Sequence, residues 1–393
     1  MKKRYLALSA VATTALVVPM TAGVANANQS APRPTVVVAG LNNPRQLALT
    51  DSGQLLIAEA GNGGTLGQIA DPEGGVQGLG YSGSISLVNR PSRAMNGTPN
   101  RIVTGLLSAA SPDGSGAVGP DGVDGNTVNR LSIQETAFPP DAIAGLPGNA
   151  VRYNGGLISA NGRSGNSHLL ANLAAYEATK NPDGQEINSD PYAVLQVKDY
   201  YLVADAGGND ILKVDRWGHI STFHVFANIV NETCSDPSLQ QPPPSLPGCQ
   251  FVPTSMDTDQ WGNVYVGALG GLVPGQGRVV KLSPNGKREL KTWTGFTSVS
   301  GVAVNDVGDL FVSQLFAPEA APVNPAIQGV LTKISHAGKV VNVDVPFPAG
   351  IITDSPGNVY VSAFSIAPAN GLADPASGQT VPGTSGQIWR FFW

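Results

Sequence analysis

Short stretches of alternating apolar and polar residues recur along the chain, each broken by a turn rich in Gly, Asp or Asn. Pro44-Arg45-Gln46-Leu47-Ala48-Leu49 leads through Asp51-Ser52-Gly53 to Leu55-Leu56-Ile57-Ala58. Pro191-Tyr192-Ala193-Val194 leads through Lys198-Asp199 to Tyr201-Leu202-Val203-Ala204. Pro253-Thr254-Ser255-Met256, Gly301-Val302-Ala303-Val304 and Gly350-Ile351-Ile352-Thr353 begin the same pattern, with turn glycines at Gly262, Gly308 and Gly357. Period-2 strands around a tight turn predict a hairpin each time, because successive side chains in a strand point to opposite faces.

A third strand follows each hairpin, as in Ser84-Ile85-Ser86-Leu87-Val88, Ile211-Leu212-Lys213-Val214 and Gln387-Ile388-Trp389-Arg390-Phe391. A fourth closes several units, at Ile102 to Leu106 and Thr292 to Phe296. Four antiparallel strands make one propeller blade. The stretch from Gly53 to Asp199 is too long for one blade and leaves room for a divergent second, Gly119 to Leu170. The expected fold is therefore all-β, a six-bladed β-propeller in a single domain over residues 28–393. The chain stops just after a third strand, while Val36-Val37-Val38-Ala39-Gly40-Leu41 matches the fourth-strand pattern. The N-terminal strand is expected to close the last blade.

The first residues change the picture of where the protein works. Lys2, Lys3 and Arg4 precede an apolar run from Tyr5 to Val18, and Ala25-Asn26-Ala27 supplies a small-x-small cleavage pattern. The run is shorter than the ~20 residues that span a bilayer, so residues 1–27 read as a secretory signal and the mature protein as secreted and extracellular. Cleavage takes the formal net charge from −5 to −8, which suits neither nucleic acid nor anionic lipid. Membrane insertion is not expected, and the mature protein reads as a monomer. Only 13% of residues are charged, while Gly (48) and Pro (31) abound, a composition of turns and short strands rather than helices. Cys234 and Cys249 stand in one Pro-rich loop, and in an oxidising compartment such a pair is expected to form a disulfide. One helix is predicted, Leu169 to Thr179, ended by Asn181-Pro182.

From about Gly40 onward the chain resembles the exported ScyD/ScyE family. The likeness is carried by Tyr176-Glu177 with Asn181-Pro182-Asp183-Gly184, by Asp190-Pro191-Tyr192 with Val203-Ala204-Asp205-Ala206-Gly207, by Val252-Pro253-Thr254-Ser255 with Tyr265-Val266-Gly267, and by Gly295-Phe296-Thr297 with Val302-Ala303-Val304. The resemblance implies a six-bladed, NHL-like propeller and no particular activity. Ala268 departs from it, standing where the family passage carries an acidic residue.

Candidate chemistry follows from propeller topology. The loops after second strands and those entering first strands share one face. The long insertions Gly61 to Tyr81, Ile229 to Gln250, Phe316 to Ile327 and Ser365 to Ser385 fall there, longer than hairpins need. Asn43, Arg45, Glu59, Asp205, Asn209 and Gln314 are the candidate ligand-binding residues at the channel mouth, and Glu59 with Asp205 could hold Ca²⁺, which prefers oxygen donors. The same residues equally suit strand and turn capping, as Asp205 does in an Asx-type turn. The four histidines, His168, His219, His224 and His336, form no metal-binding pair, and Gly162-Arg163-Ser164-Gly165 lacks the spacing of a nucleophile elbow. Two readings result. One is a non-catalytic binding or scaffolding protein for a small polar ligand, glycan or extracellular partner at the looped face. The other is a Ca²⁺-assisted hydrolase or lactonase working in the channel.

Overall fold

The structure, a computed structural model, describes residues 32–71, 75–146, 150–236, 246–316, 329–374 and 377–393. The signal segment and nearly all of the insertion from Phe316 to Ile327 lie outside the described residues.

Strand β1 (Thr35–Leu41) stands ahead of six antiparallel sheets. The first holds β2 (Pro44–Leu49), β3 (Leu55–Glu59), β4 (Gly67–Asp71), β5 (Gly75–Val88) and β6 (Arg101–Ala110). The second holds β7 (Pro120–Thr127), β8 (Arg130–Glu135), β9 (Gly156–Ala160) and β10 (Ser167–Asn172). Helices α1 (Pro140–Ile143) and α2 (Ala150–Tyr153) join β8 to β9, and α3 (Leu173–Lys180) follows β10. The third runs β11 (Pro191–Val197), β12 (Tyr200–Asp205), β13 (Asp210–Asp215), β14 (Ile220–Val225), and the fourth β15 (Pro253–Thr258), β16 (Val264–Ala268), β17 (Gly277–Leu282), β18 (Glu289–Phe296). The fifth runs β19 (Val299–Val304), β20 (Leu310–Gln314), β21 (Val330–Ile334), β22 (Val340–Asp344). The sixth has β23 (Ile351–Thr353), β24 (Asn358–Ala363) and β25 (Gly386–Phe392), with β1 as its outermost strand. β1 is antiparallel to β25, from Thr35 opposite Arg390 to Leu41 opposite Gly386.

The turns repeat one local device. Asp259 Oδ1 accepts the N–H groups of Trp261 and Asn263 while Gly262 takes a positive φ. Asn305 and Asp354 do the same for the residue four on, ahead of Asp309 and Asn358. A short polar side chain that satisfies the turn backbone, with a glycine free to adopt the left-handed conformation, fixes the hairpin register.

Packing explains the burial pattern. Inner strands such as β3, β16, β20 and β24 are buried at every position, because a neighbouring sheet covers each face. The outer strand β22 alternates between exposed and half-buried. One apolar cluster lies between each sheet and the next: Leu131 and Ile133 against Leu56 and Ile85, Leu157 against Val203, Ala204 against Val266, Val279 against Val302, and Phe311 against Val361. A further cluster joins Val37, Val38 and Leu41 of β1 and Ile388 and Tyr360 of sheet six to Leu47, Leu55 and Ile57 of sheet one. First strands touch in the order β2, β7, β11, β15, β19, β23 and back to β2. Gln46 Nε2 reaches from sheet one to Thr254 O (3.0 Å) and Ser300 O (2.9 Å), in the first strands of sheets four and five. Six antiparallel sheets packed this way are consistent with a six-bladed propeller.

Two expectations change. The insertion from Gly61 to Tyr81 is not an irregular loop: β4 pairs with Gly75 to Leu79 of the long β5, and β6 extends along the other edge. The hairpin packs Leu79 and Ile69 with Leu107, Phe138 and Ile143, and backbones there approach so closely that a Cβ on Gly78 would lie 2.3 Å from Gly64 O. The predicted helix from Leu169 begins later. Leu169 to Asn172 belong to β10, because sheet two needs an outer strand and pairing with β9 overrides helical spacing. Asn172 then caps α3, accepting the Ala175 N–H, and Asn181 ends it in the left-handed conformation.

Candidate functional site

The six candidate residues stand at or next to strand ends, and all are buried. Asn43, held at φ 49°, donates from Nδ2 to Gly61 O and Gly114 O and accepts the Ala117 N–H. Arg45 is 2% exposed and joins three segments: Nε to Asp121 Oδ1 at 3.1 Å, Nη1 to Ser365 O at 2.7 Å, and Nη2 to Ala117 O. Glu59 accepts from the Asn42 N–H, from Ser86 Oγ and from Arg101 Nη2 at 2.7 Å. Asp205 accepts from Ser189 Oγ, the Asp190 N–H and the Gly208 N–H. Asn209 donates to Asp183 Oδ2 and accepts the Val252 N–H. Gln314 accepts the Thr297 N–H and donates to Thr332 Oγ1.

These bonds sort the candidates. Arg45 is brought to Asp121. Asp205 and Asn209 share one turn. Glu59 belongs to an ion pair of sheet one with Arg101 on β6, and Asp205 to sheet three, each with its own partners. Capping accounts for part of these contacts, as in the backbone N–H groups taken by Asp205, Asn209 and Gln314, and ion pairs or side-chain bonds for the rest. Cys234 and Cys249 form the expected disulfide, with Cα atoms 5.1 Å apart. The sulfurs sit in a small core with Ile229 and Val273.

The more unusual groups on this face are carboxyls that reading along the chain did not single out. Asp121, at the start of β7, takes hydrogen bonds from Arg45 and Thr136, and burial pushes its carboxyl up to about 6 against the pull of Arg45. Glu135, at the end of β8, is fully buried, and neither of its oxygens has a hydrogen-bond partner. Burial and then Asp121 hold it well above the usual range. Asp190 is raised by burial first, then by Asp121 and Asp205, with Arg45 opposing. Glu177 of α3 is pushed up to about 8 by burial and by Asp205 and Asp183. Asp210, at the start of β13, is pushed up to about 10 by burial and by Asp205, Glu177 and Asp183. One signal was available: Glu177, Asp183, Asp190 and Asp205 all stand in the passages that carry the family resemblance. Glu135 and Asp210 had none beyond their places at strand ends.

Elsewhere the surface offers open clefts at the hairpin turns on the opposite side. One of about 740 Å³ is lined by Asp51, Arg90, Arg93, Asp354 and Tyr360, and one of about 220 Å³ by Asp309, Lys333 and Trp393. His219 pairs with Asp215 and His224 with Gly286 O and Glu289, both around β14. Among the described residues, no three His, Cys, Asp or Glu side chains already converge as a metal-binding set, and no helix is long and apolar enough to cross a membrane.

No protein-family model matches the chain, and no curated protein matches it. Solved structures are similar in outline. A luciferin-regenerating enzyme is 9% identical over 92% of this chain and 95% of its own, with a TM-score of 0.49. A chain of a nidogen/laminin complex is 10% identical over 79% and 94%, at 0.46. A virginiamycin B lyase from Staphylococcus aureus is 9% identical over 91% and 98%, at 0.41. Likeness at this level assigns neither family nor activity.

Proposed function

We propose that the chain is a closed six-bladed β-propeller, exported from the cell, whose looped face binds a glycan or another polar cell-envelope partner without turning it over. The observation that carries this is the filled axis. Arg45 and Gln46 bond across it to segments of four other sheets and loops, so the middle of the ring is packed where an enclosed active site would need room for substrate. Catalysis also needs an acid, base or nucleophile within reach of a bound substrate, and the carboxyls of this face that burial perturbs most, Glu135, Glu177 and Asp210, are at most 1% exposed. What projects outward is a built surface: the β4–β5 hairpin, with Asn62, Thr65, Gln68 and Leu66 exposed. The β1–β25 pairing supports ring closure, and the disulfide supports an oxidising compartment.

The test is an array of glycans and cell-envelope polymers probed with labelled protein. Binding should fall in a Thr65→Ala/Gln68→Ala variant and persist in Trp217→Ser, which alters an exposed turn of the opposite side. Turnover of a lactone or ester substrate by the purified protein, or equal binding by both variants, would overturn the reading.

A further inference from the structure

Arg90 and Arg93, in the connection from β5 to β6, are exposed and line the cleft of about 740 Å³ between the β2–β3 turn and the β23–β24 turn. A second cleft, of about 500 Å³, opens on the other flank of the β2–β3 turn, where Gln54, Asn89, Thr127, Asn129 and the exposed Arg163 line it. Ser52, in that turn, lines both clefts, so they meet there as one groove over sheets six, one and two. Among the described residues, none of Arg90, Arg93 and Arg163 makes a side-chain ion pair or hydrogen bond. The acids of the groove do not answer them. Asp354 gives its oxygens to Asn358 and Tyr360, and Asp51 is exposed and makes no ion pair. Arg390 of β25 donates from Nη1 to Pro91 O and Ser92 O, which pins the Arg90–Arg93 turn and adds a further positive charge behind it. Four guanidinium groups therefore stand with two carboxylates, in a chain whose formal net charge is −5.

Arg90 also occupies a backbone position where a side chain is unfavourable. Its φ is 51°, in the left-handed region that a bulky residue rarely takes. The turns from third to fourth strand in sheets two to five each use a glycine in that region: Gly165, Gly218, Gly286 and Gly338. No contact of the Arg90 side chain offsets the strain. We propose that the groove binds an acidic oligosaccharide, its carboxylates held by Arg90, Arg93 and Arg163 and its hydroxyls by the polar side chains between them. Guanidinium groups pair with carboxylates through two parallel hydrogen bonds, and Ser52, Asn89, Thr127 and Asn129 offer donors and acceptors to sugar hydroxyls. Arginines on both flanks of one turn suit a chain with acids at intervals rather than a single small acid. Among the described residues, none of the large apolar side chains that stand exposed lines either cleft, so an apolar peptide has no anchor there. The groove lies at the hairpin turns, away from the looped face, and the inference stands apart from the binding reading above.

The experiment titrates the protein as exported, residues 28–393, with tetragalacturonate by calorimetry, and with uncharged maltotetraose and inorganic phosphate for comparison. Wild type should bind tetragalacturonate at least about tenfold more tightly than either. Arg93→Gln should weaken that binding about tenfold or more, the loss of one charged pair. Arg90→Gly should weaken it as much while its urea midpoint holds or rises, since glycine takes the left-handed turn without strain; a purely structural arginine would show the reverse. Arg288→Gln, an exposed cation of sheet four outside the groove, removes the same charge and should bind as wild type. Thr65→Ala/Gln68→Ala should also bind as wild type, so failure here and failure of the looped-face reading show separately. Absence of tetragalacturonate binding, equal binding of maltotetraose or phosphate, undiminished affinity in either groove variant, or equal losses in Arg288→Gln and Arg93→Gln would overturn the proposal.

Discussion

Leu41→Ala probes the seam between the two ends of the chain. Leu41 is fully buried, opposite Gly386 of β25, among Leu47, Leu55, Ile57, Tyr360 and Ile388. Truncating such a side chain costs about 2–5 kcal/mol, the transfer loss plus the cavity left behind. Val37 and Val38 are buried to 0% and 1% exposure in the same strand. At about 1.5–3 kcal/mol for each of the three side chains, removing β1 would forfeit about 5–9 kcal/mol, against a total of ~5–15 kcal/mol for a typical domain. Deleting residues 28–41 should therefore unfold the protein or nearly so, and it also leaves β25 as an open edge. Deleting only residues 28–33 should cost less than ~0.5 kcal/mol. Urea denaturation, followed by far-UV circular dichroism and by fluorescence, reads both, and Trp389 in β25 reports directly on the seam. A second substitution attacks the same place from the other strand. A Cβ on Gly386 would meet Leu41 O at 2.6 Å and Pro44 Cδ at 2.5 Å, so Gly386→Ala should destabilise as well. A loss under about 1 kcal/mol for Leu41→Ala, below the range for a buried leucine, or equal effects of the two deletions, would refute the closing role of β1.

Two further outcomes follow from the face itself. Arg45→Met should cost about 3–5 kcal/mol, because it leaves Asp121 buried without its cation, and the double variant Arg45→Met/Asp121→Asn should recover part of that loss in the same urea assay; strict additivity would mean the pair is not coupled. Replacing both Cys234 and Cys249 by Ser opens a loop with a sequence separation of 15, worth about 3 kcal/mol in the chain-entropy account, and a global unfolding midpoint that does not move would show the constraint to be local to the loop.

The order of strands, the hairpin turns and the joining of the two ends were legible in the sequence, because each depends on information carried within a few residues. Short apolar runs such as Leu55 to Ala58 and Val302 to Val304 mark buried strands, Asp259 and Gly262 shape a turn, and Val36 to Leu41 repeats the pattern of an outer strand that the last unit lacks. The disulfide was legible for a similar reason: two cysteines in one loop have few other partners. Helical spacing from Leu169 misled, since the first four residues satisfied the pairing needs of β9 before their own periodicity. Gly61 to Tyr81 misled in the opposite sense. Its glycines read as loop, yet they allow the close backbone approach on which the β4–β5 hairpin is built. The contacts of the candidate residues were beyond local reading. That Glu59 faces Arg101, that Gln46 bonds to Thr254 and Ser300, and that Glu177 approaches Gly208 beside Asp205 all depend on segments distant along the chain meeting in space. Burial first, and neighbouring carboxylates second, then raise ordinary carboxyls such as Glu177 and Asp210 far above their usual range, and both are properties that only the packed sheets confer.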